Sequence, residues 1–536
     1  MSERIGHPDV SQSPPDVSRS PDRDTQPDRR SPVGDTAWRA IVSGAGRHSV
    51  GQSGTVRVHS TTVAAFAVLF SISLYAARAA ADDPQPENVA VPAAVPFKWQ
   101  RAGSCAAQAC HGDVRADGVF PEIWGNELTI WIERDPHAQA FNVLSNARSQ
   151  AMAQALGLNE PAYKARRCLA CHSPADADSP PADDLASADG VSCEACHGPA
   201  EKWLVEHTLR GWSNKLPAEK ARRGMNDTDD LVARATTCTP CHVGSAERPG
   251  APGGDVDHEL IGAGHPALKF EFSTYLARMP RHWDEHALDR ARPETFDSAF
   301  EVRAWAVGQA ASAQAALELL AHRAAPESDH PWPEFAEYNC YACHHDLQPA
   351  GWRQREYGER RDAGQPGLPA WGTWSFAMVD ILAEARPSRS DEITVKLAEL
   401  AKQMRLPSAD RRQLALHASE AARVLQKWGS ALDERKFNAE ELAALRAALG
   451  SAGPRLVEAD WDRAAQFYLA VVALRLSEPR SRDDPQLVRS LHQLRGSLMF
   501  PTASPNGDPR RYDSPRDFDP RQLAESVDKI ERFLKP

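Results

Sequence analysis

No cysteine in this 536-residue chain stands alone. All ten fall into five local pairs, so none is left to join distant segments, and bridges confined to such pairs would cross-link almost nothing. Basic charge is in deficit. The 62 Lys and Arg against 73 Asp and Glu give a net charge of −11, which argues against nucleic acid as a partner. Methionine is scarce: seven in all, with only Met152, Met225 and Met279 in the cysteine-bearing stretch. The apolar run from Val63 to Ala77 is short of the about 20 residues that a membrane span needs. From Gln348 onward there is no cysteine, and the only histidines are His417 and His492.

What is present is a repeated signature. In every pair the second cysteine is followed at once by histidine. Four pairs are C-x-x-C-H: Cys168/Cys171-His172, Cys193/Cys196-His197, Cys238/Cys241-His242 and Cys340/Cys343-His344. The fifth, Cys105/Cys110-His111, has the stretched spacing C-x4-C-H. C-x-x-C-H attaches c-type haem. Two thiols add to the haem vinyl groups, and the adjacent histidine binds the iron from one face. Structural zinc also uses C-x-x-C pairs, but it does not require a histidine directly after each second cysteine. The expectation is five covalent haems, with the stretched site the exception to the usual spacing.

The first 60 residues are rich in Pro, Ser, Asp and Arg and read as a disordered extension. Residues 61–81 have the layout of a secretory signal: Arg57 ahead, the apolar core Val63 to Ala77, then Arg78-Ala79-Ala80-Ala81. An uncleaved N-terminal membrane anchor is the alternative. No Met lies between Met1 and Met152, so a later ATG start cannot account for the extension. Export agrees with the cysteines, because haem c is attached outside the cytoplasmic membrane in bacteria. The expected location is the periplasm. Residues 1–81 hold nine Arg and seven Asp and Glu, so the acidic excess lies wholly beyond them. It suits docking to a basic redox partner protein, although solubility alone also explains such charge.

The fold class expected is mainly α: an irregular, haem-packed multi-haem domain over 98–350, after a Pro/Ala linker at 82–97, followed by an α-helical domain over 351–536. The first part has long polar, Pro- and Gly-rich stretches and little strand alternation. One helix interrupts it, roughly Ser298 to Ala324, with Phe300, Ala304, Val307, Ala311, Ala315 and Leu319 on a helical period. The last third should hold five to seven helices. Asn438 with Glu441 resembles a capping box, and Gly450 should stop that helix. Trp461, Ala464, Tyr468, Val471 and Leu474 form an apolar stripe. The final helix should start with Asp519 as cap and Pro520 at its first position, with Leu523, Val527, Ile530 and Leu534 on one face. Trp371, Trp374 and Trp461 read as core. No catalytic motif occurs there.

Each attachment motif supplies one axial histidine: His111, His172, His197, His242 and His344. With Met scarce and histidine outside the motifs more abundant, a second histidine is the default for the opposite face of each iron. Here a family resemblance appears. Trp131-Ile132-Glu133-Arg134-Asp135-Pro136-His137-Ala138-Gln139-Ala140-Phe141, the G-V-x-C-E-x-C-H-G-P-A run from Gly190 to Ala200, the segment Asp257 to Pro266, and Cys340 to Leu347 together resemble the multi-haem cytochromes related to cytochrome c-554. The resemblance covers about 98 to 350. It implies a tightly packed, mostly bis-histidine haem array that carries electrons. That cytochrome has four haems, so the fifth site and the helical extension depart from it. The distal ligands expected are His137, His207, His258 and His265. His345, beside a proximal ligand, reads as a hydrogen-bond partner of a propionate. His282, His286, His322 and His330 read as solvated or structural.

Electron transfer between redox partner proteins is the leading reading. The alternative is a multi-haem reductase or oxidase of a small nitrogen or sulfur compound at one open-coordinate haem. Five haems and four good distal histidines allow one open iron. The absence of a C-x-x-C-K motif, with lysine as proximal ligand, speaks against it.

Overall fold

A computed structural model describes residues 97–115, 124–178, 189–248, 253–285, 296–340, 343, 370–386, 390–406, 409–478, 482–499 and 520–535. The extension, the signal segment, most of the linker, Asp519, His286, His344 and His345 lie outside them. Among the described residues there is no strand; Tyr338 and Trp371 form an isolated antiparallel bridge. The chain is mainly helical, as expected.

The N-terminal region is built from short pieces. α1 (Glu127–Arg134), α2 (Ala147–Ala155), α3 (Arg166–His172), α4 (Cys193–His197), α5 (Pro217–Ala221), α6 (Leu231–His242), α7 (His258–Gly262) and α8 (Phe272–Arg278) alternate with 3-10 turns and irregular backbone. Apolar burial is local here: one cluster around Phe141, Leu144 and Leu169, another around Ala200, Trp203 and Trp212. Caps rather than propensity set the boundaries. Asp230 accepts the Ala233 N–H at the start of α6, Asp257 the Leu260 N–H at the start of α7, and the buried Glu271 both the Ser273 and Thr274 N–H groups at the start of α8.

α9 (Phe300–Ala324) is different. It is buried on nearly every side, with Val302, Trp305, Ala306, Val307, Ala310, Ala313, Leu317 and Leu320 all sealed from solvent. A helix apolar all round belongs in a core. Its many Ala and Gly positions let neighbours approach closely. A Cβ on Gly308 would lie 2.5 Å from Cβ of Phe272, so α8 packs directly on its backbone. Among the described residues seven C-terminal helices follow: α10 (Val379–Ala385), α11 (Ser390–Met404), α12 (Arg411–Asp433), α13 (Ala439–Ala459), α14 (Trp461–Ser477), α15 (Pro485–Leu498) and α16 (Pro520–Leu534). α9 packs most extensively on α12, and Arg303 joins them by pairing with Asp433 at 2.5 Å and Asp297 at 2.7 Å. One continuous core runs from Leu231 on α6 through α8 and α9 to Leu534 on α16.

The helical expectations hold in detail, with one correction. Asn438 and Glu441 do form a reciprocal capping box. Leu523, Val527, Ile530 and Leu534 are all buried, and Trp374 stacks on Trp461 at 5.9 Å inside the structure. Gly450, however, does not end its helix. α13 continues through it to Ala459, because the glycine serves packing: its Cβ would sit 3.2 Å from Cβ of Leu534 on α16. The absence of a side chain is a contact requirement there, not a stop signal.

The buried Arg323 near the end of α9 ties the two regions together. It bonds Asp255, ahead of α7, and Glu337, three residues before Cys340, the latter at 2.7 Å. Removing one member of a buried ion cluster leaves uncompensated charge, at a cost of about 3–5 kcal/mol. Arg323→Ala should therefore lower unfolding free energy by about that amount, measurable by urea denaturation followed through tryptophan fluorescence. A loss within a few tenths of a kcal/mol would mean that the cluster is not structural.

Candidate haem-binding site

Motif histidines from distant segments meet other histidines across narrow gaps. His111 faces His207, with ring centroids 6.3 Å apart and planes at 11°. His242 faces His137 at 6.0 Å, His172 faces His265 at 6.4 Å, and His197 faces His282 at 6.3 Å. Metal–imidazole bonds of about 2.0–2.1 Å, plus roughly 1 Å from each nitrogen back to its ring centre, put two axial imidazoles about 6 Å apart. All four gaps fit one iron between two rings. With two thiols just ahead of each motif histidine in the chain, this donor set fits haem c.

Five of the eight rings have Nδ1 occupied, which leaves Nε2 as the nitrogen they can offer a metal. His111 Nδ1 donates to Glu127 at 3.1 Å and His137 Nδ1 to Asp135 at 2.9 Å. His172 Nδ1 donates to the Ala140 carbonyl at 2.8 Å, His207 to Leu204 at 2.6 Å, and His265 to Pro266 at 2.8 Å. His282 bonds the Pro280 carbonyl. Such partners fix the tautomer and the ring orientation of a metal-binding histidine. Burial holds His197 and His242 down to about 4 and lowers His172, His265 and His282. These rings are therefore neutral, as metal ligands must be. His111 and His137 go the other way, raised by their bonds to Glu127 and Asp135.

The local sequence explains how the rings are delivered. His137 and Ala140 share one short segment, so the distal histidine for one motif lies three residues from the carbonyl that orients another, His172. Trp131 Nε1 bonds the Val191 carbonyl at 3.0 Å, docking this segment on the third motif. Gly190 is required at that contact. It has φ +65°, and a Cβ would lie 2.9 Å from the His137 carbonyl oxygen. Gly198, directly after His197, has φ +85°, and its Cβ would fall 2.0 Å from the Gly224 carbonyl oxygen. Arg167, beside Cys168, pairs at 2.6 Å with Asp257, the cap of α7, so the second motif holds the segment that leads to its own partner His265.

The attachment thiols also adjoin one another. Cys105 lies beside Cys193, and Cys171 beside Cys241. Cys196 lies within electrostatic reach of Cys238 and Cys241. The motifs thus run in space in the order first, third, fourth, second.

Cys110 sits differently from the other thiol of its motif. It is exposed, whereas Cys105, its partner in the motif, is half-buried beside Cys193. The cause is the stretched spacing. In the second, third and fourth motifs both cysteines lie on one short helix together with their histidine. In the first, Cys105 ends a 3-10 turn, and the longer loop closes a separate turn in which the Cys110 and Gly112 N–H groups both donate to the Ala107 carbonyl, at 2.8 and 3.1 Å. That turn carries Cys110 to the surface. It does not displace His111, which faces His207 as closely as the others face their partners. For the fifth motif, Cys340 and Cys343 are likewise exposed, and Cys340 is within electrostatic reach of Lys269. Phe270, the next residue, stacks on His242 at 5.2 Å.

Three of the four expected distal histidines, His137, His207 and His265, face a motif histidine. His258 lies against the Phe335 ring at 5.7 Å and gives its backbone N–H to Glu334 at 2.9 Å, in the segment that leads to Cys340. Sequence reasoning missed His282, placing it with the solvated histidines. Its segment is held to the fourth motif's helix by Glu285, which pairs with Arg234 of α6 at 3.0 Å and accepts from Trp283 Nε1 at 2.7 Å. His322 and His330, 5.3 Å apart, stand beside Asp255, His330 at 3.4 Å, and fit the structural role expected.

The histidine-lined gaps beside paired thiols suit c-type haem. Residues 105–198, which hold the first three attachment motifs, match the family model described as cytochrome c554 and c-prime, the family that the motifs resemble. No curated protein and no solved structure matches the chain. The family implies c-type haem and a location outside the cytoplasm. Among the described residues no helix is long and apolar enough to cross a membrane.

Glu194, between the two cysteines of the third motif, is buried and accepts the backbone N–H groups of Gln100 at 2.9 Å, Arg101 at 2.7 Å and Ala200 at 2.6 Å. It clamps the first motif onto the third. Hydrogen bonds to charged groups contribute about 1.5–3 kcal/mol each, and orphaned donors add a penalty. Glu194→Ala should destabilise the protein by about 3 kcal/mol and expose residues near Cys105 to limited proteolysis. An unchanged cleavage pattern would remove the clamp from the account.

Proposed function

We propose that the chain is an exported, periplasmic electron carrier with five covalent haems, passing single electrons between redox partner proteins. The observation that carries this reading is that each of the four described motif histidines faces a second imidazole at 6.0–6.4 Å. Bound haem supplies reversible one-electron chemistry at iron. The chain's part is to hold and insulate. His111 with His207, His172 with His265, His197 with His282 and His242 with His137 ligate, while Cys105/Cys110, Cys168/Cys171, Cys193/Cys196 and Cys238/Cys241 anchor. Cys110, the exposed thiol, and the half-buried Cys105 would together anchor the first haem. Two imidazoles leave no position for a substrate, which weighs against a reductase or oxidase at these four sites.

The fifth site is assigned to Cys340, Cys343 and His344, with His258 as distal ligand. Support comes from the position of His258 beside Phe335 and Glu334, a few residues before Cys340. The acidic chain suits a basic partner protein, and the segment at 61–81 is assigned to export, either as a cleaved signal or as an anchor.

Two measurements on the holo-protein test this. A haem count by pyridine haemochrome should give five per chain, and the ferric EPR spectrum should be low-spin throughout. A high-spin signal that shifts with nitrite, hydroxylamine or cyanide would instead move the enzyme reading to first place. His282→Ala should convert one haem to high spin while all haems stay attached. An unchanged low-spin spectrum in that variant would withdraw His282 from the ligand set.

A further inference from the structure

The imidazoles of the four pairs are not oriented alike. His172, His207 and His265 give Nδ1–H to the backbone carbonyls of Ala140, Leu204 and Pro266, and the His282 ring bonds that of Pro280. His111 and His137 give it to carboxylates, Glu127 and Asp135. Both carboxylates are built in. Glu127 also accepts the N–H groups of Trp124 at 2.7 Å and Gly125 at 3.2 Å. Asp135 is 5% exposed and caps the following 3-10 turn through the His137 N–H at 3.0 Å. Each carboxylate thus accepts an imidazole N–H and backbone N–H groups together, a donor set that favours its charged form.

A full negative charge on Nδ1–H draws the proton outward and makes Nε2 a stronger donor. Stronger donation favours ferric over ferrous iron, and hydrogen bonding around an iron site is a lever on its potential. A neutral carbonyl does this less. The carboxylates are not spread evenly: one serves the first motif's pair and the other the fourth's. In space the first motif adjoins the third through Cys105 and Cys193, and the fourth adjoins the second through Cys241 and Cys171.

We propose that Glu127 and Asp135 are potential-setting residues that lower the reduction potential of the irons held by His111/His207 and His137/His242, so that each adjoining pair of sites couples a lower-potential iron to a higher-potential one. The array then reads lower, higher, lower, higher along the order first, third, fourth, second. Electrons delivered to it rest on the second and third sites and pass through the first and fourth. This rests on the ligation reading above.

The test is a potentiometric titration of the holo-protein, followed optically, for the wild type, E127Q and D135N. Each amide keeps a carbonyl oxygen for the backbone N–H groups and removes the charge. Each variant should shift one component to higher potential by about tenfold in its reduction equilibrium, which is 59 mV for one electron, with haem content and low-spin EPR unchanged. E206Q is the control. Glu206 neighbours His207 in sequence but bonds Arg223 at 2.5 Å, and its loss should move nothing comparable. No shift in E127Q and D135N, a shift to lower potential, or an equal shift in E206Q would overturn the proposal. If an amide variant fails to mature, E127D and D135E, which keep the charge but displace it from Nδ1, should move the same component upward, and an unmoved component would equally overturn it. H137A separates this from the underlying reading. It should turn one haem high-spin whatever D135N does, and a wholly low-spin H137A protein would sink the ligation itself.

Discussion

Two imidazoles brought face to face at a fixed separation are the constraint that the rest of this structure serves. The two rings of a pair come from segments far apart in sequence, such as His111 with His207 and His197 with His282. Neither ring gains much from its own neighbours. Each must be presented with Nε2 outward, so each needs a partner on Nδ1, and that partner must itself be fixed. This is why much of the backbone between the motifs is 3-10 turn and capped loop. Short, individually specified pieces can aim a ring and offer a carbonyl at set positions, whereas a long helix offers its carbonyls only to itself. The apolar clusters in this region are small and separate, and the gaps that the histidines line are where a prosthetic group would complete the core.

The helical part supplies what that region lacks. α9 is sealed on nearly every side, and its small residues admit α8 and α12. α6 ends in the fourth motif, and its Leu231 and Ala235 belong to the same core as α9. Lys269, beside the fourth and fifth motifs, pairs with Asp462 of α14 at 2.9 Å and lies 5.3 Å over Trp374. Arg323 links α9 to the segments before α7 and before Cys340. The C-terminal helices therefore act on the site as a rigid floor under two of its motifs. A boundary at 350 separates the cysteines from the later helices in sequence, but the packing crosses it through α9.

Much of the site was legible because its chemistry is written locally. A thioether anchor and its histidine must be adjacent, so C-x-x-C-H survives as a string, even in the stretched Cys105 to His111 form. What that string could not convey is that its longer loop closes on Ala107 with Cys110 at the surface, since a spacing does not say where a turn's hydrogen bonds fall. His137, His207 and His265 stand in segments with other local requirements, such as Trp131, Ala140, Gly190 and Pro266, and those requirements marked them. His282 had no such mark. What holds it is Glu285 reaching Arg234, a contact 51 residues away in sequence, and nothing in Pro280 to Trp283 announces that pairing. The helical stripes were legible for the same local reason, since periodicity is a property of neighbouring turns. Gly450 was misread because a glycine that ends a helix and one that admits a neighbouring helix look the same in the chain. Only Leu534 in contact decides between them.

The residues inside the attachment motifs carry a further lesson about specification. The two positions between the cysteines have no part in joining haem, yet they are not spacers. Leu169 and Ala170 of the second motif are buried in or beside the Phe141 cluster, Thr239 of the fourth is buried, and Glu194 of the third gathers backbone donors from the first motif's approach and from the turn after its own histidine. The same short helix that presents two sulfurs on one side thus docks on the protein with its other side. That division of faces fixes where each histidine starts, and the distance to its partner follows from it. With the carboxylates Glu127 and Asp135 added, the polypeptide sets both the separation of the rings and the donor strength of two of them. Each of these carboxylates also fixes backbone, Glu127 at Trp124 and Gly125 and Asp135 at His137, so ring position and donor strength share the same residues.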